Sequence, residues 1–284
     1  MKSLLYKINA LAVILFISIQ LIAMDKDSTE VKSMGRVSIQ YSSNSVYMGR
    51  TDSLAIPYLS PSIGYFHKSG FFINSSLSYL KTDETSRVDL ITLSAGYDYY
   101  KKNFSAGFSL YEYFYNDLSY SVQSSLNTYG NVSLGYDFKK IIAYTDISMG
   151  FSEGIDVFWT GELTQPFYAF KGALKIVPSL FIKAGTQHYY DEYYATRSTF
   201  STGKGGMTST SQSIQVSDSE KFQIMTYEAE LSLSYRIKSL SIFSSLVYAI
   251  PVNPSTIVTA DGTFEEELNN TFYWSSGVRL SLIK

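Results

Sequence analysis

Few residues of this 284-residue chain have the chemistry to act on a substrate, and its two histidines are the first to consider. His67 precedes Ser69 by two positions, and a histidine that takes the proton from a serine hydroxyl is the arrangement of many hydrolases. The spacing alone is weak support, and we favour a plain turn over residues 67–70. The chain has no cysteine, and two histidines cannot supply a three-histidine metal site. The sequence therefore favours a protein that is not an enzyme, and it predicts neither a metal nor a cofactor.

The second histidine stands in a stretch that mixes aromatic rings with carboxylates. Residues 187–194 contain His188, Asp191 and Glu192 together with four tyrosines. Such a mixture can stack on a sugar or hold a cation. It is also typical of the aromatic belt that membrane proteins place at the lipid surface. We favour the belt and keep His188, Asp191 and Glu192 as candidate loop ligands.

Composition narrows the class of protein. Aromatic residues make up 16% of the chain, with 25 Tyr and 18 Phe, whereas charged residues make up 17%. Soluble domains carry about 25% charged residues. Strands that show lipid on one face and water on the other, with aromatic girdles where the two meet, produce such a composition. The formal net charge of −2 indicates no surface for polyanions, so nucleic acid is not an expected partner.

Bulky apolar residues alternate with small or polar ones through most of the chain. Residues 91–99 show the pattern, because the odd positions are apolar and Thr92, Ser94, Gly96 and Asp98 lie between them. This period of two predicts two-faced β-strands, and no comparable helical period occurs. Soluble β-sandwiches share the period, so alternation alone does not separate them from membrane barrels.

The connections between these segments alternate between tight and loose. The tight ones contain or border a lysine and fall at residues 67–70, 100–103, 139–140, 171–172 and 237–239. The longer or more polar ones fall at 49–56, 81–87, 116–126, 152–154, 191–220 and 251–270. Outer-membrane barrels separate short periplasmic turns from longer extracellular loops in this way. The composition of 191–220 favours a mobile surface loop over a segment folded into the pore.

The fold that follows is all-β: a transmembrane, antiparallel, up-and-down β-barrel of about twelve strands, with both ends on the periplasmic side. Losing the weakly patterned first strand would give an odd count, and the pattern also allows ten or fourteen strands. The predicted strands are 36–47, 57–66, 71–80, 88–99, 104–115, 127–138, 141–151, 156–168, 173–190, 222–236, 240–250 and 271–283.

The alternation also predicts which charges face the lumen. These candidates are Asp98, Asp137, Asp146, Glu162, Lys183, Glu228, Glu230 and Arg279. In an open pore, the excess of acidic over basic side chains would favour cations. The alternative is an occluded interior in which the charges pair across the barrel. A twelve-strand barrel has an intermediate width, so its geometry leaves both states open.

The N-terminus has the form of a secretory signal peptide. Lys2 and Lys7 precede an apolar stretch over residues 8–23, and cleavage is expected after Ala23. A permanent anchor helix is the alternative, but the apolar run is shorter than the roughly 20 residues of a membrane span. The predicted organisation is therefore a signal peptide over 1–23, a short periplasmic segment over 24–35 and an outer-membrane barrel over 36–284.

Several segments carry a resemblance to a known group of proteins. They read SSNSVYMGR from Ser42, PYLSPSIGYFHKSGFFINSSLSYL from Pro57, DLITLSAGYDYY from Asp89 and TQHYYDEYY from Thr186. Together they resemble uncharacterised outer-membrane β-barrel proteins of the Bacteroidota. The resemblance covers much of the mature chain and implies location and fold, without a function to carry over.

Three functions are compatible with such a barrel. A passive or substrate-selective diffusion channel for small solutes fits the polar lumen best. A structural or display barrel would instead use its extracellular loops to bind a partner, and an outer-membrane lipid hydrolase would need the pairing of His67 with Ser69. The expected partners are outer-membrane lipid, lipopolysaccharide and the barrel-assembly machinery. That machinery commonly recognises an apolar last strand, here residues 272–284, although this strand ends in Lys284 rather than in an aromatic residue.

Overall fold

The computed structural model describes residues 32–52, 55–82, 85–119, 121–152, 154–190, 215–217, 219–259 and 262–283. The predicted signal peptide over 1–23, residues 24–31 of the predicted periplasmic segment and most of the predicted loop 191–220 lie outside the described residues. Within the described ranges, no helix is both long enough and apolar enough to cross a bilayer.

Sixteen strands are present in the described part of the chain, and most belong to one sheet. They are β1 (Met34–Ser42), β2 (Tyr58–Phe66), β3 (Phe71–Lys81), β4 (Ser86–Lys101), β5 (Phe104–Tyr115), β6 (Thr128–Asp137), β7 (Ile142–Phe151), β8 (Ile155–Thr164), β9 (Phe167–Ala169), β10 (Leu174–Gly185), β11 (Gln215–Ser217), β12 (Gln223–Ile237), β13 (Leu240–Pro251), β14 (Thr256–Thr259), β15 (Gly262–Glu265) and β16 (Thr271–Ile283).

The large sheet closes on itself to form a barrel. Its order is β12, β13, β16, β1 to β8 and β10, and a further pairing between β10 and β12 completes the ring. The short β9 pairs with the start of β10 and continues the position of β8 in the wall. All of these pairings are antiparallel, so the described residues form the predicted twelve-strand up-and-down barrel.

Tight turns join strands at one end of the barrel. Lys102, Lys139, Lys171 and Lys238 adopt positive φ angles in these turns. In the turn between β2 and β3, Gly70 has a φ of 104°, and a Cβ atom at this position would lie 2.1 Å from the carbonyl oxygen of Asp98. The predicted short turns are therefore confirmed, and the ends of β1 and β16 pair at the same end of the barrel.

The first strand ends earlier than the sequence predicts. β1 stops at Ser42 rather than at residue 47, because the Asn44 side chain captures backbone donors that a longer strand would use. The Asn44 Oδ1 atom accepts hydrogen bonds from the N–H groups of Ser45 and Ile56, at 2.9 and 2.8 Å. With these two bonds the Asn44 side chain holds the backbone away from the sheet at the start of the connection between β1 and β2.

Two other strand predictions need correction. β10 ends at Gly185 rather than at residue 190, because the Asp156 carboxylate accepts a hydrogen bond from the backbone N–H group of Tyr189 beyond the strand. The predicted strand 156–168 is divided after Thr164 into β8 and β9. The regions predicted as plain loops also contain strands, because β11, β14 and β15 form a separate three-stranded sheet. The β-branched residues of Thr256–Thr259 favour this conformation, but four residues are too few for the period to reveal.

The outer surface of the barrel is apolar. Side chains that point away from the lumen include Ile63, Ile73 and Leu180, which are 63%, 61% and 63% exposed. Exposed aromatic residues form a girdle near the tight turns, with Tyr65, Phe71, Tyr99, Phe104, Tyr136, Phe138, Phe167 and Tyr235. A second girdle near the longer connections contains Tyr41, Phe114, Tyr227, Tyr248, Phe272 and Trp274. An apolar band between two aromatic girdles is the exterior of a transmembrane barrel.

Candidate functional site

Charged residues from neighbouring strands form a cluster on the inner wall. On β10 and β12, the Lys183 Nζ atom lies 2.7 Å from Glu228 Oε2, and these side chains are only 6% and 2% exposed. Glu228 also lies 3.5 Å from the Tyr273 hydroxyl on β16. The structure therefore brings two of the predicted lumen residues together as a buried ion pair.

Two further predicted acids join this cluster through hydroxyl groups. Glu162 on β8 accepts a 3.1 Å hydrogen bond from Ser179, which lies opposite Glu230 in the ladder between β10 and β12. Glu230 accepts hydrogen bonds from Ser232 and Ser245 at 2.6 and 2.7 Å. Hydroxyl donors thus partly satisfy the carboxylates of Glu162 and Glu230.

The remaining predicted lumen residues are spread around the wall. Asp146 on β7 lies diagonally opposite Glu162 and is 3.5 Å from the Asn131 amide nitrogen. Asp137 lies at a tight turn, where it accepts a 2.6 Å hydrogen bond from the Lys139 N–H group. Asp98 is close to Gly107 on β5, at the same end of the barrel. None of these three forms a salt bridge with a described residue.

Arg36 and Lys175 are basic residues on the inner face that the sequence prediction missed. Arg36 alternates with the outward-facing Val37 and Ile39 on β1, and Lys175 alternates with the outward-facing residues of β10. The Arg36 guanidinium lies over the ring of Phe66, 4.2 Å from its centroid, and the predicted Arg279 lies 4.7 Å from the ring centroid of Phe243. The alternation could have identified both, because Arg36 and Lys175 lie at lumen-facing positions of the predicted strands 36–47 and 173–190.

The opposite end of the lumen is closed by the connection between β1 and β2, which we call loop 1 (residues 43–57, with 43–52 and 55–57 described). Residues 47–50 form a tight turn in which the Tyr47 and Arg50 backbone groups bond each other at 2.9 Å. Both central residues, Met48 and Gly49, have positive φ angles, as in a type I′ hairpin turn.

This turn reaches across the barrel mouth. The Tyr47 ring centroid is 5.7 Å from that of Phe158 on β8 and 5.1 Å from that of Tyr189. In the described ring, six strands separate β1 from β8 on one side and four on the other, so the contact spans the lumen. Gly49 also packs against Thr226 on β12. Loop 1 is therefore a strap across the mouth.

Loop 1 packs into a buried aromatic core. Burial raises the pKa of the Tyr47 and Tyr189 phenols well above their ordinary value. The core contains Tyr47, Met48, Leu90, Tyr111, Tyr113, Val122, Leu126, Tyr129, Phe158, Tyr189, Tyr190, Val216 and Met225. Since these residues come from the wall and from several connections, the mouth of the barrel is filled by its own side chains.

A buried ion pair holds loop 1 in place. The Arg50 Nε atom lies 3.0 Å from Glu266 Oε1, with side-chain exposures of 1% and 5%. Arg50 also donates to the carbonyl oxygens of Met48 and Asn253, and Glu266 accepts a 2.6 Å bond from the Tyr190 hydroxyl. One contact thus ties loop 1 to the connection between β13 and β16 and to the residues after β10.

Two further buried carboxylates fasten other connections to the wall. Asp89 on β4 accepts hydrogen bonds from the Tyr58 hydroxyl and from Ser119, at 2.7 Å for the latter, and pairs with Arg87. Asp156 on β8 accepts three hydrogen bonds from residues 186–189 through their backbone and hydroxyl groups, at 2.7 to 2.8 Å. Three buried carboxylates, those of Glu266, Asp89 and Asp156, therefore each hold one connection in place at the mouth of the barrel.

Replacing Asp156 by alanine is expected to release residues 186–190 from the wall. The change leaves the N–H groups of His188 and Tyr189 without their acceptor, and the loss at the buried Tyr189 group alone costs about 1–3 kcal/mol. Hydrogen exchange should show faster exchange at these amides, whereas Asp156→Asn should have a smaller effect because it keeps one acceptor oxygen. Unchanged exchange rates in the alanine variant would contradict this role.

The remaining sequence candidates lie at the two ends of the barrel. His67 and Ser69 occupy the tight turn between β2 and β3, where Nδ1 contacts the Ser69 hydroxyl at 2.7 Å and accepts a 3.2 Å bond from the Ser69 N–H group. Both side chains are exposed, and the bonds are those of a local turn. The His188 Nδ1 atom lies 3.1 Å from Asp156 Oδ1, which can accept a hydrogen bond from it. Asp191 and Glu192 lie outside the described residues, so this ligand set stays a prediction.

No known protein family matches the chain, and no curated protein is similar to it in sequence. Solved structures do match. The KdgM porin is 13% identical over 87% of this chain and 99% of its own, with a TM-score of 0.47. The NanC porin is 10% identical over 87% of this chain and 100% of its own, with a TM-score of 0.49. An outer-membrane channel from Pseudomonas putida F1 is 10% identical over 90% and 97% of the two chains, with a TM-score of 0.42.

These likenesses concern the fold alone, which the strand pairing establishes independently. They leave the resemblance to Bacteroidota proteins a prediction.

Proposed function

We propose that this chain is a bacterial outer-membrane diffusion channel for small solutes, closed by loop 1 in the conformation described here. The observation that carries the proposal is the inner wall beneath the mouth, where many of the inward-facing side chains are short and polar. Lumen-facing serines include Ser38, Ser62, Ser76, Ser94, Ser133, Ser148, Ser179, Ser232, Ser245 and Ser275.

The wall beneath loop 1 suits a hydrated passage. Neighbouring serines bond each other across strands, as Ser38 does with Ser62 at 2.7 Å and Ser60 with Ser78 at 3.1 Å. Their hydroxyls can exchange these bonds for bonds to water or to a solute. A twelve-strand barrel lined by short side chains is wide enough to hold such a passage, whereas narrow barrels are filled by their side chains.

The orientation follows from the connections. Short turns and both ends of the barrel chain belong on the periplasmic side, and loop 1 and the other tethered connections then face the exterior. Outer-membrane lipid, lipopolysaccharide and the barrel-assembly machinery remain the partners that we propose. Export by a signal peptide cleaved after Ala23 and membership of the Bacteroidota group belong to the same proposal.

A display role is the second candidate, and the three-stranded sheet of β11, β14 and β15 favours it. This sheet lies in the connections at the loop end, outside the barrel wall, and Val216 joins it to the aromatic core of the mouth. A folded surface element of this kind can present a binding surface to a partner. For the hydrolase candidate, the exposed turn that contains His67 and Ser69 offers no comparable support.

The first experiment is a conductance measurement on refolded residues 24–284 in planar bilayers, after heat-modifiable migration on a gel has confirmed the barrel. We expect rare conducting steps in the unmodified barrel, because loop 1 closes the mouth. A folded barrel that stays silent even after loop 1 is released, as in the Arg50 variant below, would exclude the channel and leave the display role.

Charge selectivity gives a further prediction. The Glu230 carboxylate accepts hydrogen bonds from two serine hydroxyls, and a glutamine can accept the same bonds. Glu230→Gln therefore removes one negative charge from the lumen, and we expect it to lower the preference of the conducting steps for K⁺ over Cl⁻ by several-fold. Reversal potentials across a salt gradient measure this preference. Glu267→Gln, an exposed acid outside the lumen, is the matched control, and an equal change in both variants would contradict a lumen effect.

A further inference from the structure

The charges of the inner wall are divided between two sides of the barrel. Five adjacent strands, β13, β16, β1, β2 and β3, contain no Asp or Glu. The acidic lumen residues all lie on the other strands. On the acid-free side, the lumen-facing charged residues are Arg36 and Arg279. A solute in the lumen therefore meets a positive wall on this side.

The two arginines are neighbours across one ladder. Arg36 lies opposite Ser281 and Arg279 lies opposite Ser38 in the pairing of β1 with β16, which makes the arginines diagonal neighbours on the same face. Diagonal partners of this kind are within reach of each other when the side chains are long. Two guanidinium groups thus share one patch of the wall.

Aromatic rings position both guanidinium groups. Phe66 covers Arg36 and Phe243 covers Arg279, at 4.2 and 4.7 Å from ring centroid to guanidinium carbon. A ring contact of this type uses the flat face of the guanidinium, and the N–H donors lie in its plane. Among the described residues Arg36 forms no salt bridge, and its Nε atom has no hydrogen-bond partner.

We propose that Arg36 and Arg279 bind the oxyanion group, a carboxylate or a phosphate, of a small solute in the lumen. Two like charges side by side repel each other, and an oxyanion between them removes this repulsion while it accepts charge-assisted hydrogen bonds. The hydroxyls of Ser38 and Ser62, on the same patch, can bond the rest of the solute. This inference rests on the proposed channel function and adds the class of its substrate.

Binding can be measured without conductance. Isothermal titration calorimetry of the refolded barrel in detergent uses inorganic phosphate and acetate as probes and glycerol as the uncharged comparison. We expect at least one anion to bind and the double variant Arg36→Gln/Arg279→Gln to weaken its binding by at least about tenfold, because charge-assisted bonds are lost. Lys175→Gln is the matched control, because it removes one positive lumen charge away from the pair.

The possible results distinguish failure of the anion site from failure of the channel function. No anion binding by the unmodified barrel, equal binding by the double variant, or an equal loss in Lys175→Gln would overturn the site. Binding of phosphate alone or acetate alone supports it and identifies the oxyanion. If the double variant does not show heat-modifiable migration, Arg36→Gln alone is used. A barrel that binds the anion but never conducts contradicts the channel function and leaves the site intact.

Discussion

Replacing Arg50 by alanine should turn a mostly closed barrel into a conducting one. Arg50 and Glu266 are almost fully buried, and the change leaves the Glu266 carboxylate without its cation. Breaking one side of a buried ion pair costs about 3–5 kcal/mol. This cost falls on the docked position of loop 1, so the ratio of docked to undocked barrels should drop by roughly a hundredfold or more.

Single-channel recordings test this expectation directly, as the fraction of time that the barrel spends open. Lys221→Ala is the matched control, since Lys221 is an exposed base at the same end of the barrel. A second variant, Arg50→Met/Glu266→Met, removes both charges together and should restore much of the closed state, because no buried charge is left unpaired. An Arg50 variant as closed as the unmodified barrel would show that loop 1 does not limit passage.

The barrel wall could be predicted from the sequence because its determinants are local. A period of two marks each strand, and tight turns with lysines or glycine mark the ends, so most predicted bounds lie within a few residues of the observed strands. The inner positions of Glu162, Lys183, Glu228 and Glu230 followed from the same period. Their proximity also follows, because β8, β10 and β12 are neighbours in the ring.

The closed mouth could not be predicted, because its determinants are distant in the chain. Arg50 and Glu266 are 216 positions apart, and Tyr47 meets Phe158 only once the ring has closed. Neither pair leaves a pattern in a single sequence. The strap also begins where Asn44 interrupts the expected first strand, and that interruption depends on the long-range bond to the Ile56 N–H group. Local patterns thus specified the wall, and tertiary contacts specified what fills it.

The ion pair of Lys183 and Glu228 gives the largest expected effect on the stability of the wall. Lys183→Met should lower the free energy of unfolding by about 3–5 kcal/mol, because Glu228 would stay buried without its cation. Urea titration of the refolded barrel, followed by the fluorescence of Trp159 and Trp274, measures this loss. Lys175→Met removes a lumen lysine outside the cluster and should cost far less.

The double variant Lys183→Met/Glu228→Gln decides whether the ion pair itself is responsible. With both charges gone, the remaining wall of Ser, Tyr and apolar groups has no buried ion to solvate, so much of the lost stability should return. The coupling between the two changes should then be comparable to the loss in Lys183→Met alone. Additive losses would show instead that Lys183 stabilises the wall through its packing on Phe181, whose ring centroid lies 5.5 Å from Nζ, and that the Glu228 charge is solvated by the lumen. In that case the acidic side of the wall is hydrated in the closed state, and its carboxylates are available to a permeating cation without any rearrangement of the barrel.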